Sequence, residues 1–368
     1  MKNNFIFYVG TEAELIKILP VCRRLSDNNI KYIILCNGQN FLYDSNVFDE
    51  VTHSNAIFLT VGNIKFPSNK FIFRVAWMVV WFLGATYKTN KYIKNLKKEI
   101  DNVSIIVHGD TISTFIGSIV AIINSLKLFH IESGLTSNKI FTPFPEELCR
   151  RFVTKYATVR FTPSIESFLY AKKLNNKTEV INTCGNTMYD AFTDLAIKPH
   201  KSMELYYLLI IHRQESLLSQ NFVKSVLEIC SSNNDNIKCY FVMHKQTKDF
   251  LININIYDEL KENKRINLLD RLPFKNFIEL FIGAEFIATD GGTNQEESCY
   301  IGKPCFLLRK ETERVEGLGG NVVIPKKDIV LEFKLFLQNY REFINKPLKY
   351  DSSPSDNIVR YLKNCLIK

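Results

Sequence analysis

The chain has 368 residues, of which 46% are hydrophobic and 23% charged, and its formal net charge is +9. This composition is typical of a globular protein and excludes a disordered one, and the length predicts two domains because one hydrophobic core seldom serves so many residues. The positive charge is spread along the chain without Lys/Arg blocks, so we expect no nucleic-acid partner. It is compatible with an anionic small-molecule substrate or with proximity to an acidic membrane surface.

Apolar strand-like runs alternate with helical patterns along the whole chain, which predicts an α/β protein with parallel sheets and helices on both faces. A first series of predicted strands comprises Phe5–Val9, Lys31–Cys36, Val103–Val107, Leu128–Ile131, Val159–Thr162 and Glu179–Thr183. A second series comprises Tyr206–Ile211, Lys238–Met243, Ile266–Leu269, Phe286–Thr289 and Cys305–Leu308. We therefore predict two doubly wound, Rossmann-like domains.

The domain boundaries are predicted from the break between the two series. Residues 1–184 form the first domain, 185–203 a linker with a short helix-like piece, and 204–352 the second domain. Residues 353–368 have helical spacing behind a Ser-Pro-Ser start, and we expect this last helix to join the first domain.

The longest apolar stretch, residues 75–85, has 11 residues, whereas a transmembrane helix needs about 20. It predicts a buried or interface helix. The nine cysteines show no Cys-x-x-Cys spacing and no Cys/His cluster, which predicts small core residues in a reducing compartment and no metal site. No signal-peptide core precedes the first strand, so we expect a cytoplasmic protein.

Two acidic residues directly follow neighbouring predicted strands. Asp110 follows Val103–Val107 in a His-Gly-Asp-Thr segment, and Glu132 follows the next strand in a His-Ile-Glu-Ser-Gly segment. One crossover helix fits between them, so both carboxylates should emerge at the carboxyl ends of parallel strands, where open α/β sheets bind ligands. Such a pair indicates proton transfer. For either acid alone, a solvated loop position is an equally good interpretation.

Further candidates lie at other strand-to-helix junctions. Glu146 and Glu147 follow Pro145 at a helix start, where the helix dipole alone would favour acids. His212 ends the first strand of the second domain, and Gly291 and Gly292 precede a helix whose N-terminus suits a phosphate.

In this order and spacing the chain resembles the non-hydrolysing UDP-N-acetylglucosamine 2-epimerases over nearly its whole length. The resemblance implies the glycosyltransferase B architecture with an interdomain cleft, no cofactor, a cytosolic homodimer, and a UDP-sugar as substrate. It also implies that UDP is eliminated to a 2-acetamidoglucal and re-added on the other face, which supplies UDP-N-acetylmannosamine for bacterial surface polysaccharides.

The resemblance also implies roles for individual residues. The matching catalytic positions are Asp110, Glu132, Glu146 and His212, with Asp110 and Glu132 as the proton-handling pair and His212 at the diphosphate side. The matching nucleotide contacts are Lys17, Phe277, Gly291, Gly292, Glu297 and Arg314. Phe277 is equally well interpreted as a core aromatic residue.

The chain departs from the family pattern at several of these places. Glu12-Ala13 stands where the family has Arg-Pro, Thr136 where it has Arg, and Gly291 where it has Ser. The motif near the family's regulatory sugar-nucleotide site is Gly38-Gln39-Asn40 instead of Gly-Gln-His. These departures remove two cations and one hydroxyl near one expected ligand, the UDP-sugar. Glu12 and Thr136 therefore indicate an altered specificity for the sugar nucleotide.

Three functions compete at this point. The first is an epimerase acting on a UDP-linked 2-acetamido sugar. The second is a glycosyltransferase of the same fold that moves a sugar to a polysaccharide or lipid-linked acceptor, for which peripheral membrane association through residues 75–85 would be suitable. The third, least favoured because all four catalytic matches remain, is a regulatory binder of nucleotide sugars.

Overall fold

The computed structural model describes residues 4–40, 42–43, 45–59, 71–137, 145–174, 178–198, 200, 204–232, 237–312 and 314–367. The chain divides into two compact units, one of Met1–Asp194 with Tyr350–Lys368 (unit 1) and one of Leu195–Lys349 (unit 2). Each unit is built on one parallel sheet with helices, so the predicted α/β class with two doubly wound domains is confirmed. Residues 199 and 201–203 of the predicted linker lie outside the described residues.

Unit 1 has a seven-stranded sheet in the order β3-β2-β1-β4-β5-β6-β7, and every described pairing is parallel. Its strands are β1 Asn4–Val9, β2 Tyr32–Cys36, β3 Ala56–Phe58, β4 Val103–His108, β5 Lys127–Ile131, β6 Val159–Thr162 and β7 Glu179–Asn182. The strand order reverses between β1 and β4. Open sheets bind ligands outside the carboxyl ends of the strands at such a switch point.

The helices of unit 1 cover both faces of this sheet. They are α1 Glu12–Asp27, α2 Glu50–Ser54, α3 Phe71–Glu99, α4 Ile112–Ile123, α5 Glu146–Tyr156, α6 Ile165–Leu174, α7 Thr187–Thr193 and, from the end of the chain, α15 Pro354–Ile367. Because β1 is covered on both sides, its side chains alternate between two cores. Phe5, Phe7 and Val9 pack with α1 and α15, whereas Ile6 and Tyr8 pack with α3 and α4.

Unit 2 has a six-stranded parallel sheet in the order β10-β9-β8-β11-β12-β13. Its strands are β8 Leu205–Ile210, β9 Ile237–Met243, β10 Ile266–Asp270, β11 Ile287–Thr289, β12 Cys305–Leu307 and β13 Val322–Val323. The order reverses between β8 and β11, which places a second switch point next to His212 and Asp290. The helices are α8 Gln214–Leu217, α9 Gln220–Ser232, α10 Lys245–Asn253, α11 Tyr257–Glu262, α12 Phe274–Gly283, α13 Gly292–Tyr300, α14 Ile329–Asn339 and the short 3-10 helix Tyr340–Phe343.

Helix α3 contains the apolar stretch 75–85. Trp81 and Ala85 are buried against the sheet, whereas Val80, Leu83 and Tyr87 are exposed. Across the part of the chain that the structure describes, no helix combines the length and the apolar character needed to cross a bilayer. The prediction that this stretch is too short to span a membrane agrees with that finding.

Candidate active site

Glu132 lies directly after β5 and is almost completely buried, with both carboxylate oxygens engaged. Oε2 lies 2.9 Å from the Lys17 ammonium, and Oε1 accepts a 2.7 Å hydrogen bond from the Asn186 side-chain amide. Nδ1 of His108 lies 3.5 Å from Oε2. An ammonium and an amide donor at these distances stabilise a carboxylate in its ionised form.

The backbone at Glu132 is in the left-handed region, with φ 64°. Residues other than glycine rarely adopt this conformation, and it persists only where surrounding contacts impose it. Lys17 and Asn186 are such contacts. The following Gly134, at φ 81°, also lacks room for a side chain, since a Cβ there would lie 2.3 Å from the Ser167 carbonyl oxygen. The turn after β5 is therefore constrained to present this carboxylate.

Asp110 lies in the neighbouring turn, after β4, and its side chain is more exposed than that of Glu132. Its carboxylate forms an ion pair with Arg150 on α5. A Cβ on Gly109 would lie 3.6 Å from Oε2 of Glu132, which places the turns that carry the two acids side by side. The structure thus brings the two predicted proton-handling residues together at the switch point of unit 1.

The turn that carries Asp110 is held through its backbone. The Gly109 N–H donates to the Ile131 carbonyl at 3.0 Å, and Nε2 of His130 donates to the Gly109 carbonyl at 2.8 Å. Burial lowers the pKa of His130 to about 4, so the imidazole is neutral near pH 7 and carries its proton on Nε2 to make this bond. His130 therefore fixes the turn without adding charge to it.

Helix α5 supplies the cation for Asp110. Nη1 of Arg150 donates to Oε2 of Glu147 at 2.8 Å, and Nε of Arg151 donates to the other Glu147 oxygen at the same distance. Thr136 donates to that oxygen at 2.7 Å. Glu147, which is fully buried, therefore organises the start of α5 and fixes Arg150 against Asp110.

Glu146, the predicted supporting acid, lies at the first position of α5. Within the described residues its Oε2 atom is buried without a hydrogen-bond partner. A buried polar atom in this state costs free energy unless another group satisfies it, so it is suited to meet a polar ligand group. Glu12 is half-buried in the first turn of α1, where the helix dipole favours an acid.

A second group of predicted residues lies at the switch point of unit 2. Asp290, buried at the end of β11, accepts hydrogen bonds from the backbone N–H groups of His212, at 3.1 Å, and of Arg213, at 2.9 Å. Burial acts to raise its pKa, but the contacts with His212 and Arg213 outweigh burial and keep the pKa of Asp290 below its usual value. Nδ1 of His212 lies 3.2 Å from Oδ1 of Asp290, so the carboxylate lies directly beside the imidazole ring.

His244, which directly follows β9, stacks on His212 with ring centroids 4.8 Å apart. Burial, followed by the charges of His212 and Arg271, lowers the pKa of His244 to about 4. A neutral ring therefore packs flat on His212 and restricts its orientation.

The turn before α13 is tightly packed. The Gly291 N–H donates to the Thr289 hydroxyl at 2.9 Å, and a Cβ on Gly291 would lie 2.8 Å from Cε1 of His212 and 2.9 Å from Oδ1 of Asn294. The Asn294 amide in turn donates to the buried Glu297 carboxylate at 2.8 Å. Gly291 and Gly292 thus open α13 with His212 beside them, and Glu297 lies further along the same helix.

Two other predicted nucleotide contacts have clear partners within unit 2. Nη1 of Arg314 donates to the buried Glu296 carboxylate at 2.8 Å, and Gln295 donates to the Arg314 carbonyl. Phe277, on α12, is half-buried and packs against Phe281 with ring centroids 5.6 Å apart.

Comparison with known proteins identifies the family. A model of the family UDP-N-acetylglucosamine 2-epimerase matches residues 85–363. The chain belongs to this family. A UDP-N-acetylglucosamine 2-epimerase of Campylobacter jejuni is 26% identical over 100% of this chain and 98% of its own length.

Solved structures agree with this membership. The UDP-GlcNAc 2-epimerase of Methanocaldococcus jannaschii, crystallised in complex with UDP-GlcNAc and UDP, has a TM-score of 0.75 and 25% identity over 99% of this chain and 100% of that one. A UDP-glucosyltransferase of Polygonum tinctorium has a TM-score of 0.59 over 100% of this chain and 99% of that one, but at 11% identity it shows the fold alone.

In this chain of the epimerase family, the sequence analysis missed several residues that contact the predicted acids or His212. Asn186 follows the short β7–α7 turn, and Arg150 lies one turn into α5; neither stands out locally from an ordinary cap or a surface cation. His244 gave a usable signal because it directly follows a buried strand of the second sheet, and His212 lies two residues after another. Glu14 gave none.

Proposed function

We propose that the chain inverts the carbon that carries the acetamido group of a UDP-linked 2-acetamido sugar. One carboxylate of the pair Asp110 and Glu132 takes the proton from this carbon while the bond between the anomeric carbon and the diphosphate oxygen breaks. UDP and a 2-acetamidoglucal result. The diphosphate then adds back to the anomeric carbon, and a proton returns to the neighbouring carbon on the opposite face.

The observation that carries the proposal is the adjacency of the turns bearing Asp110 and Glu132 at the switch point of unit 1. Both acids are matched to cations, Asp110 to Arg150 and Glu132 to Lys17. Two ionisable groups held in this way are suited to proton transfer at one carbon of a substrate. Family membership supports the same reaction.

The proposal extends to the leaving group. His212, held between Asp290 and His244, assists departure of the diphosphate as a cation. The N-terminus of α13, with Gly291 and Gly292, binds the diphosphate, because backbone N–H groups and the helix dipole both favour an anion. Glu146 supports the two acids, and Glu297 meets the ribose hydroxyls.

The departures from the family pattern support a narrower proposal about the sugar. Glu12 adds a carboxylate where a cation is usual, and Thr136 is engaged with Glu147. We therefore expect poor turnover of plain UDP-N-acetylglucosamine and better turnover of another UDP-linked amino sugar that presents a hydroxyl or amino group near Glu12. The epimer produced would be a precursor for bacterial surface polysaccharide.

Incubation in deuterated water tests the reaction. Deuterium entering the sugar beside the anomeric carbon, followed by NMR, is the expected result for the true substrate. Acceptor-dependent loss of the sugar without exchange would instead establish the transferase. If the chain turns over UDP-N-acetylglucosamine as fast as an ordinary family member assayed alongside, the epimerase proposal stands and the proposal of altered specificity is refuted.

A further inference from the structure

Glu14 is a buried carboxylate to which the proposed reaction assigns no role. It lies in the first turn of α1, and its side chain is only 3% exposed. A carboxylate is rarely buried unless hydrogen bonds satisfy it, because removing a charged group from water is unfavourable. The contacts of Glu14 therefore indicate what it does.

The Glu14 carboxylate joins the turns at the two strands that flank the switch point of unit 1. Oε2 accepts hydrogen bonds from the backbone N–H groups of Gly10 and Thr11, both at 2.9 Å, in the turn after β1. Oε1 accepts at 2.5 Å from the hydroxyl of Thr111, in the turn after β4, and at 2.9 Å from that of Thr114, in the first turn of α4. Each oxygen thus serves a different turn.

This set of donors matches a carboxylate better than any neutral side chain. An ionised carboxylate accepts at both oxygens and donates nothing, whereas the two backbone N–H groups can only donate. Thr111 is also the N-cap of α4 and accepts from the Thr114 N–H at 3.1 Å, so its own proton points to Glu14. The Thr111 side chain is held by the helix on one side and by Glu14 on the other.

Thr111 directly follows Asp110 in the chain. On the other side of Asp110, Gly109 is held by its contacts with His130 and Ile131. The backbone is therefore fixed on both sides of the acid, and on the Thr111 side Glu14 contributes to this together with the N-cap hydrogen bond from the Thr114 N–H.

We propose that Glu14 is a positioning residue that, through Thr111, holds the Asp110 carboxylate in place for proton transfer. The inference rests on the proposed function, because it assigns Glu14 to the Asp110 step. A purely structural role predicts loss of stability alone. A positioning role predicts a loss of kcat that depends on Asp110, because a shift of about 1 Å at a reacting group can cost on the order of 100-fold in rate.

The variants are chosen to separate these two roles. Glu14→Ala removes these four contacts and a fifth, the 3.1 Å hydrogen bond that the Thr11 hydroxyl donates to Oε2. Glu14→Gln keeps one acceptor oxygen for Gly10 and Thr11, and its amide can donate to the two hydroxyls, which can also act as acceptors. Glu14 forms the capping box of α1 with Thr11. Asp49→Ala is the matched control, because it removes the capping box of α2, which includes none of the proposed site residues.

Deuterium exchange and epimerisation are measured for these variants, for Asp110→Asn and for the double variant Glu14→Ala/Asp110→Asn. We expect Glu14→Ala to lower kcat by roughly 10- to 100-fold with KM changed less than about twofold, and Glu14→Gln to recover most of the loss. The double variant should be no slower than Asp110→Asn alone, because the two residues act on one step. Asp49→Ala should lower Tm and keep kcat.

Two results would overturn the proposal: a wild-type kcat in folded Glu14→Ala, or a double variant a further tenfold slower than Asp110→Asn. If Glu14→Ala does not fold, Thr111→Val and Thr111→Ser decide, since only the serine keeps the hydroxyl that bonds Glu14; equal kcat in both would refute it. A wild-type protein that exchanges no deuterium with any UDP-linked amino sugar would refute the proposed function instead.

Discussion

At the scale of single residues, Asp110 lies next to Arg150 and Glu132 next to Lys17. If both carboxylates transfer protons, the loss of either should lower turnover. Asp110→Asn and Glu132→Gln keep side-chain size but remove the ability to accept a proton as a carboxylate. We expect each to lower turnover by roughly 100-fold or more, as for general acid–base groups. The measurement is the rate of deuterium exchange, with circular dichroism to check the fold. Glu204→Gln, in an exposed ion pair with Lys238, is the control; near-normal rates in both site variants would remove the acids from the mechanism.

The Lys17–Glu132 pair gives a second prediction at this scale, one of stability. Both side chains are less than 10% exposed, so Lys17→Met leaves a buried carboxylate without its cation. Breaking a buried pair from one side costs about 3–5 kcal/mol, whereas an exposed pair contributes up to about 1 kcal/mol. We expect urea unfolding to show that Lys17→Met lowers the free energy of unfolding by the larger amount. The double variant Lys17→Met/Glu132→Gln should recover part of this loss, and Lys238→Met should change the free energy of unfolding little. An equal, small loss in both single variants would mean that Glu132 is solvated or neutral.

At the scale of secondary structure elements, the N-terminus of α13 is where a side chain should interfere with ligand binding. A valine at Gly291 must displace the His212 ring or the Asn294 amide, which lie 2.8 and 2.9 Å from its Cβ position. Saturation with a ligand at about 100 times Kd stabilises a protein by about 2.7 kcal/mol, so UDP should raise the wild-type Tm measurably. We expect Gly291→Val to lose this shift. Asp328→Ala, which removes the N-cap of α14 in the same unit, should lower Tm but keep the shift. A full UDP shift in Gly291→Val would show that the diphosphate binds elsewhere.

The same elements show what the sequence could predict. Strands such as Val103–His108 and Leu205–Ile210 are apolar because helices cover both sheet faces, and such runs are visible in sequence. The edge strands Ala56–Phe58 and Val322–Val323 were missed because three and two residues carry no periodic signal.

The candidate site was predictable to a similar extent. Acids and histidines within two residues of the end of a buried strand, such as Asp110, Glu132 and His212, are marked by that position. Glu14 and Arg150 lie on helices, where an acid near the start or a cation further along has a sufficient local explanation. Their roles depend on which turns the fold brings together, and a single sequence does not contain that information.

At the scale of the whole molecule, the exposed face of α3 predicts self-association. Val80, Leu83 and Tyr87 follow one another at spacings of three and four residues on that face, and each is more than half exposed. We propose that this face forms the interface of a homodimer.

Light scattering should give a dimer for the wild type and a monomer for Leu83→Asp, because a buried aspartate in an apolar interface has no partner. Leu218→Asp, at an 84% exposed leucine of unit 2, should remain dimeric. A wild-type monomer would refute the interface, and one that needs detergent to stay in solution would favour membrane association.

Helix α15 has a consequence for the order in which the chain can fold during synthesis. Ile358, Val359 and Leu362 of this helix complete the core that α1 and the first sheet share, and Asn357 donates to the Thr183 carbonyl. The ribosome makes these residues only after the whole of unit 2. Domains usually fold in the order of their synthesis, but here unit 1 is made first and receives its last core side chains late. Until then its apolar surface beside α1 is uncovered, so the nascent chain passes through a stage in which its second half can be native and its first half still needs protection from aggregation.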